Sequence, residues 1–443
     1  MSMLIEFTVG NFRSFKEPVT LSMVAARLKA RDSQVNENNK IKVDDNLTLL
    51  TSSAIYGANA SGKSNVVRAL AFMRQLVLSS AAESQAGEPL GAEPFRLSTD
   101  TENEPSFFEI VFLSDGIQYR YGFEVSFTQV ISEWLFSVPS TKEAKLFIRE
   151  ENGIKPSQKF FKEGKGLETK TRANALFLSV VAQFNGEVSQ SILKWFRRLS
   201  IVSGLDDTFY RAFTIQQVIE GKYKSEIIEL VRSLDIDIAG IEGIKLDKTQ
   251  LELPSGIPED LRTLLLKSIQ DKELLTVRTI HPKLNAQGNP AGSVIFDMDH
   301  NESDGTQKAF YLAGPIIDAL SKGKVLIIDE MEARLHPLIT RELIQRFNSI
   351  ETNPRRAQLI FTTHDTNLLS KKLFRRDQIW FVQKSELCAS HLYSLAEIKV
   401  DDNKVRNDAS FEDNYLQGRY GAIPFLGEIK TILLEGDGSN GEN

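Results

Sequence analysis

Residues 57–64 read Gly-Ala-Asn-Ala-Ser-Gly-Lys-Ser, and no other stretch limits the fold of this chain so tightly. The spacing G-x-x-x-x-G-K-[ST] suits a loop whose backbone N–H groups curl around phosphate oxygens. Such a loop works between a strand and a helix, because the helix N-terminus adds partial positive charge at the same spot. Both neighbours are predicted here. An apolar run ends in Ala54-Ile55-Tyr56, and Val66, Val67, Leu70, Met73, Leu76 and Val77 fall on one helical face over 63–78. Lys63 would reach the β- and γ-phosphates, with Gly57, Asn59 and Gly62 lining them. The Ser64 hydroxyl would complete a Mg²⁺ shell. The loop predicts a chain that binds a nucleoside triphosphate with Mg²⁺.

A second signal is Val325-Leu326-Ile327-Ile328-Asp329-Glu330. Four apolar residues in a row suit a strand buried on both faces, with the carboxylates emerging at its C-terminal end. Asp329 is the candidate for holding Mg²⁺. Glu330 is the candidate general base for a water, which it must approach within one hydrogen bond. Alone, this string is as often structural as catalytic; beside a phosphate loop it gains weight.

Two more pieces follow in order. Glu302-Ser303-Asp304-Gly305-Thr306-Gln307 opens a helical stretch, where a hydroxyl and free N–H groups face an anion. On residue type alone Ser303 reads as an N-cap. Thr362-Thr363-His364-Asp365 ends the strand after the acidic one, putting His364 beside Asp329 at one sheet edge. From Ser293 onward strands and helices alternate (293–297, 306–320, 325–329, 337–349, 358–363), which predicts a parallel sheet covered by helices. Period-two alternation over 107–127 turns at Asp115-Gly116, and further strands at 131–138 and 145–149 complete an antiparallel lobe. Residues 173–275 carry a helical pattern. Lys29–Asn46 reads as a mobile connection with almost nothing to bury.

Composition narrows the function classes. Lys plus Arg number 53 against 59 Asp plus Glu, for a net charge of −6 over 443 residues, which excludes a wholly basic nucleic-acid coat. The single cysteine, Cys388, excludes an internal disulfide or a cysteine-rich zinc site. Glu6 and Arg13 stand where a leader would need an apolar run, and no uncharged apolar stretch approaches ~18 residues. A cytoplasmic protein is expected.

The order of phosphate loop, Ser-x-Gly helix start, apolar strand ending Asp-Glu and strand ending in His resembles the ABC-type ATPases. The resemblance is to their chromosome-maintenance and DNA-repair branch, and most of all to compact bacterial ATPases of the overcoming-lysogenisation-defect and abortive-infection type. Val9-Gly10-Asn11-Phe12-Arg13-Ser14-Phe15, Ala58-Asn59-Ala60-Ser61 and Arg334-Leu335-His336-Pro337 carry the same likeness. It covers residues 1–78 and 290–395 by motif. It implies an α/β ATPase head with an antiparallel β lobe and an inserted helical lobe. The corresponding boundaries are 1–89 for the first part of the head, 90–150 for the β lobe and 151–290 for the helical lobe. The second part of the head spans 291–400, and a tail spans 401–443.

The resemblance also implies roles. Ser303 and Gly305 would contact the γ-phosphate of ATP held by a second copy, in a homodimer or higher oligomer assembled by ATP. Glu332–His336 would link the two sites, His364 would sense the γ-phosphate, and Arg13 would approach the nucleotide. It implies a conformational switch that controls a separately encoded effector, a nuclease or toxin, in anti-phage defence, or that acts in DNA maintenance. Nucleic acid stays open as a partner, and a membrane is not expected. The signature departs from the family's L-S-G-G-[QE]: Asp304 replaces the first glycine and Thr306 the last polar residue. The alternative reading is the ATP-binding subunit of a membrane transporter. The large insert and the Asn-Phe-Arg-Ser-Phe opening argue against it. A small-molecule kinase would leave Ser303, Gly305 and His364 unexplained.

Smaller features have bland readings beside functional ones. Arg355, Arg356, Lys371, Lys372, Arg375 and Arg376 form a nucleic-acid or acidic-partner patch, or a solvated face. The same choice holds for Lys159, Lys162, Lys165, Lys170 and Arg172 beside Phe160 and Phe161. Thr431–Asp437 resembles the opening of a Toprim nuclease domain, but a terminal strand or tail is the simpler expectation. Gln417–Leu426 reads as an ordered loop.

Overall fold

Two sheets share one long helix between them. A computed structural model describes residues 2–30, 32–83, 85–139, 142–234, 238–246, 274–400, 403–404 and 410–424. The first sheet has seven strands, in the spatial order 153–156, 144–150, 130–138, 117–125, 106–114, 2–10 and 19–22, all antiparallel to their neighbours. The second has six, in the order 199–203, 325–329, 358–362, 52–56, 379–384 and 390–394. Its first five strands run parallel, and only the last is antiparallel. The expected α/β architecture with a parallel core sheet is borne out.

Alternating side chains divide the interior into two cores. Ile55, Ile327, Ile360 and Val382 face the helix Lys63–Ser79 and the first sheet, joining Phe7, Val66, Leu70, Met73, Phe108 and Tyr121. Ala54, Leu326, Ile328, Leu359 and Phe361 face the other way, onto helices Asp304–Lys322 and Pro337–Phe347. Each Val, Leu, Ile, Phe or Met side chain so buried contributes about 1.5–3 kcal/mol over its exposed state. The strand Val325–Asp329 is buried on both faces, as its unbroken apolar run predicts. Among the described residues no helix is long and apolar enough to cross a membrane.

Several expectations are corrected. The strands of the β lobe are not a body apart, because Ser2–Gly10 pairs directly with Ser106–Ser114 and extends their sheet. The helical pattern over 173–275 contains Leu199–Ser203, which forms the edge of the parallel sheet, and Gly240–Leu246, also a strand. Five residues with one turn of apolar spacing fit either state, and pairing with 325–329 decides for the strand. The strand around 293–297 lies in a separate three-stranded antiparallel sheet with 240–246 and 274–284, not in the parallel sheet. The polar stretch 29–46 holds a short helix, Ser33–Asn38, capped by the Asp32 carboxylate, and a strand, Lys40–Lys42. Its buried Asn39 donates to the Leu373 carbonyl and the Gln378 side chain, and Ile41 is buried with Met3, Ile5, Leu49 and Leu113, so polar bonds and a small apolar cluster together hold it. The tail segment Thr431–Asp437 lies outside the described residues.

One buried carboxylate fastens the antiparallel sheet to the chain that follows it. Glu133 is fully buried and accepts from the Tyr121 hydroxyl at 2.9 Å and from the Phe177 and Leu178 amides at 2.7 and 3.1 Å. Burial pushes its carboxyl above the ordinary range, against the opposing pull of Arg149 and of the donors themselves. A raised folded value means that this group's stabilisation is complete below about pH 4 and declines as pH rises through that value. Replacing it by alanine should cost about 3–5 kcal/mol in urea unfolding, since three buried donors lose their acceptor. Glu133→Gln should cost less, and its deficit against wild type should shrink between pH 4 and pH 8. A deficit constant across that range would contradict a raised carboxyl.

Candidate active site

Parallel strands end together, so their C-terminal ends bring distant residues to one edge. Tyr56 leads into Gly57, Asp329 ends the next strand but one, and Thr362 ends the strand between them. Asp329 Oδ1 accepts the Ser64 hydroxyl at 3.0 Å and the Thr362 hydroxyl at 2.6 Å. Thr362 Oγ1 in turn accepts the Glu330 amide at 2.7 Å. Glu330 has φ +52°, a left-handed turn that bends the chain sharply off the strand. Beside it Gly204 is sterically required, because a Cβ there would lie 1.8 Å from the Glu330 carbonyl oxygen.

The loop itself is braced from outside. Lys63 begins the helix, is 5% exposed, and donates to the Gly57 and Ala58 carbonyls at 2.8 and 3.0 Å. Burial pulls its ammonium down to about 8, against the favourable charges of Glu330, Glu332 and Asp329. A buried cation leaning on its own loop carbonyls is poised to exchange them for phosphate oxygens. Gly62 has φ +107°, and a Cβ there would meet the Ser390 and Ser14 hydroxyls at 2.4 and 2.5 Å. Those serines hold the loop: Ser390 Oγ donates to the Ser61 carbonyl at 2.6 Å, and Asn65 Nδ2 donates to Ser14 Oγ at 2.8 Å.

His364 joins the same group. The His364 amide donates to Glu332 Oε1. Desolvation, followed by the charge of Lys63, holds the His364 imidazole below its ordinary range despite Glu332, Glu330 and Asp329. At neutral pH it is therefore a neutral ring with one N–H to donate. Glu332 Oε2 and the Ser61 hydroxyl are buried without a hydrogen-bond partner among the described residues. Hard oxygen donors (Ser64 Oγ, Asp329 Oδ1) next to a cradle of backbone N–H groups fit a Mg²⁺ ion carrying a phosphate chain.

A family model described as "AAA domain, putative AbiEii toxin, Type IV TA system" matches residues 52–370 of the 443. The chain belongs to that family. It is a P-loop ATPase with an AbiEii-type AAA domain, and the likeness to abortive-infection ATPases read from the sequence stands. Among solved structures, the SMC head domain from Thermotoga maritima is similar at 14% identity and a TM-score of 0.38, covering 90% of this chain and 99% of that one. An Smc head bound to the C-winged helix domain of ScpA is similar at 13% identity and a TM-score of 0.46, covering 88% and 97%. An Smc head with an extended coiled coil, bound to the C-terminal domain of ScpA from Pyrococcus furiosus, gives 13% and 0.43, covering 89% and 96%. No curated protein matches the chain.

The AAA domain does not gather every candidate residue at one point. Ser303 caps the helix Asp304–Lys322, its hydroxyl accepting the Thr306 amide at 3.2 Å. Ser303, Gly305 and Thr306 line an open cleft of about 540 Å³ with His336 and Leu338. Among the described residues no hydrogen bond links them to 57–64. Arg13, in a left-handed conformation at φ +52°, is tied to Glu93 at 3.0 Å; it is its neighbour Ser14 that touches the loop. The basic patch at 355–376 is also broken up. Arg375 is 1% exposed, ion-paired with Asp377 and bonded to the Ala26 and Leu28 carbonyls, so it is a structural cation. Lys159, Lys162, Lys165 and Lys170 are exposed, as both readings of that segment require.

Ser390 and Gly204 were not singled out by sequence reasoning, and Thr362 and Ser14 entered only as members of longer motifs, without a role of their own. Serine and threonine are too common to flag singly; the hints were Thr362's place at a strand end beside His364 and Ser14's place in the 9–15 motif. Thr362 is fully buried, and its one hydroxyl orients both acidic residues. Thr362→Val keeps the volume and removes that bond. Steady-state phosphate release should fall roughly 10–100-fold while nucleotide affinity holds within a few-fold. An unchanged rate would show that the hydroxyl is dispensable for placing Asp329 and Glu330.

Proposed function

We propose that this protein binds ATP with Mg²⁺ at residues 57–64, hydrolyses it, and closes as a dimer around it to control a separately encoded effector in anti-phage defence. The single observation that carries the reading is the bonded chain Ser64–Asp329–Thr362–Glu330, ending beside Lys63 and His364. Lys63 and the loop amides would hold the phosphates. Ser64 and Asp329 would hold Mg²⁺, which offsets negative charge on the phosphate oxygens. Glu330 would take a proton from the attacking water, and the neutral His364 would donate its N–H to the terminal phosphate.

Dimerisation is supported by what the single chain leaves open. The capped helix start at Ser303 and Gly305 offers N–H groups to an anion, yet it faces an open cleft without a bond to its own loop. A second copy bringing its loop to that helix start would complete both. Control of an effector rests on the family description and the chain's likeness to abortive-infection ATPases.

Lys63→Ala should abolish nucleotide binding in a titration, since it removes the charge that faces the phosphates in a buried cradle. Glu330→Gln should bind ATP and fail to turn it over. With ATP it should also scatter light as a larger species than the nucleotide-free form. Mixing Lys63→Ala with Ser303→Arg should recover part of the activity, because one composite site of the mixed dimer is then intact. Native turnover in Glu330→Gln would remove the proposed base. A Glu330→Gln protein that stays monomeric with bound ATP would remove the shared site and leave the phosphate loop standing.

A further inference from the structure

Lys308 is 3% exposed, a costly place for an ammonium that makes no hydrogen bond to the phosphate loop among the described residues. It lies one turn into the helix that Ser303 caps. Its Nζ donates to the Gly204 carbonyl and, at 2.9 Å, to the Tyr210 hydroxyl, and stands 5.3 Å from the centre of the Tyr210 ring. Burial pulls the ammonium down to about 8, against the charge of Asp207. Gly204 is where this contact meets the acidic pair. Its amide donates to the Asp329 carbonyl at 2.5 Å, and it packs so tightly on Glu330 that no side chain would fit.

The surroundings leave little slack. The Thr214 hydroxyl is within hydrogen-bond reach of the carbonyls of Tyr210 and Tyr311, which joins helix Thr208–Ile219 to helix Asp304–Lys322. At Gly314 a Cβ would lie 2.2 Å from that hydroxyl, so the two backbones are already as close as side chains permit. A shift of the Ser303 end of the helix is therefore passed to the Lys308 head group.

We propose that Lys308 is a positioning residue that ties the Ser303 helix start to the backbone carrying Asp329 and Glu330, so that an ATP phosphate bound at Ser303 sets the placement of Glu330. The idea rests on the shared-site reading, because the phosphate at Ser303 belongs to nucleotide held by a second copy. It makes hydrolysis conditional on assembly. A helix start without a phosphate leaves Glu330 unaligned, and a filled one aligns it through Lys308 and Gly204.

Lys308→Met keeps the buried stem and removes the donors and the charge. Its turnover number should fall about tenfold or more, with ATP affinity within about threefold of wild type and a thermal midpoint close to it. Combined with Ser303→Ala, the loss should be no more than about twofold beyond the slower single variant, since both act through one connection. Tyr210→Phe removes one acceptor, keeps the ring, and serves where Lys308→Met fails to fold. It should lose turnover by about threefold, again without adding to Ser303→Ala. Wild-type turnover in Lys308→Met or Tyr210→Phe, or a loss that multiplies with Ser303→Ala, would overturn the proposal. Glu330→Gln, assayed alongside, separates the two readings. If it is inactive while Lys308→Met is not, only the lysine's role fails; if it is active, the hydrolytic reading fails first.

Discussion

A single carboxylate oxygen, Oδ1 of Asp329, gathers hydroxyls from the phosphate-loop helix and from the neighbouring strand. Those donors, Ser64 and Thr362, stand 265 and 33 residues away along the chain. No local preference can assemble them. What does is the parallel order of strands 52–56, 358–362 and 325–329, which places three C-terminal ends side by side. Two-sided burial of those strands fixes which faces are up and down, and the ends then carry whatever polar residues come next. The chemistry of the edge depends on the packing of the strands below it.

That packing also explains why the sheets cannot be separated into independent lobes. The helix Lys63–Ser79 has its apolar face in a core shared with the antiparallel sheet, through Phe7, Phe108 and Tyr121. The loop that precedes the helix is braced by Ser14, next to the first strand, and by Ser390, on the last strand of the other sheet. Any movement of the loop on binding phosphate is felt by both sheets.

How much of this was legible in the sequence follows from what each signal depends on. The phosphate loop, its helix and the strand 325–329 were legible because their residues answer local demands: curled backbone, one apolar face, two buried faces. The hairpin at Asp115-Gly116 was legible for the same reason, with both residues at positive φ. Leu199–Ser203 was not, since Leu-Ser-Ile-Val-Ser follows a helix directly and becomes a strand only through its partner at 325–329. The stretch 29–46 reads as unburied because its few apolar side chains, Val35 and Ile41 among them, form no periodic pattern, and because Asn39 and the Asp32 cap add polar bonds that hydrophobic periodicity does not register. Arg375 looked like part of a basic patch because charge counts carry no information about burial; Asp377 lies two residues on and neutralises it. Lys308 is the same lesson inside the site, a lysine on a helix whose burial depends on Gly204 and Tyr210.

The structural unit is larger than the stretch that the family model covers. That stretch ends at residue 370, yet Tyr56, which leads into the phosphate loop, packs its ring against Phe381 at 6.2 Å and Tyr415 at 6.0 Å. Tyr415 in turn stacks on Phe381 at 5.4 Å and 17°, and the Tyr393 hydroxyl donates to the Tyr420 carbonyl at 2.8 Å. Glu412 accepts the Thr366 hydroxyl at 3.3 Å, two residues beyond His364. Aromatic pairs of this kind contribute about 0.5–1.5 kcal/mol each beyond the area they bury. Cut at 370, the parallel sheet would lose its 379–384 strand beside 52–56, and the phosphate loop would lose the Ser390 brace and the aromatic floor under Tyr56. Cut at 52, it would lose the strand Ser2–Gly10 and the Ser14 contact. The phosphate loop and Asp329 lie within the matched stretch, and Ser14 and Ser390, which brace the loop, lie on either side of it.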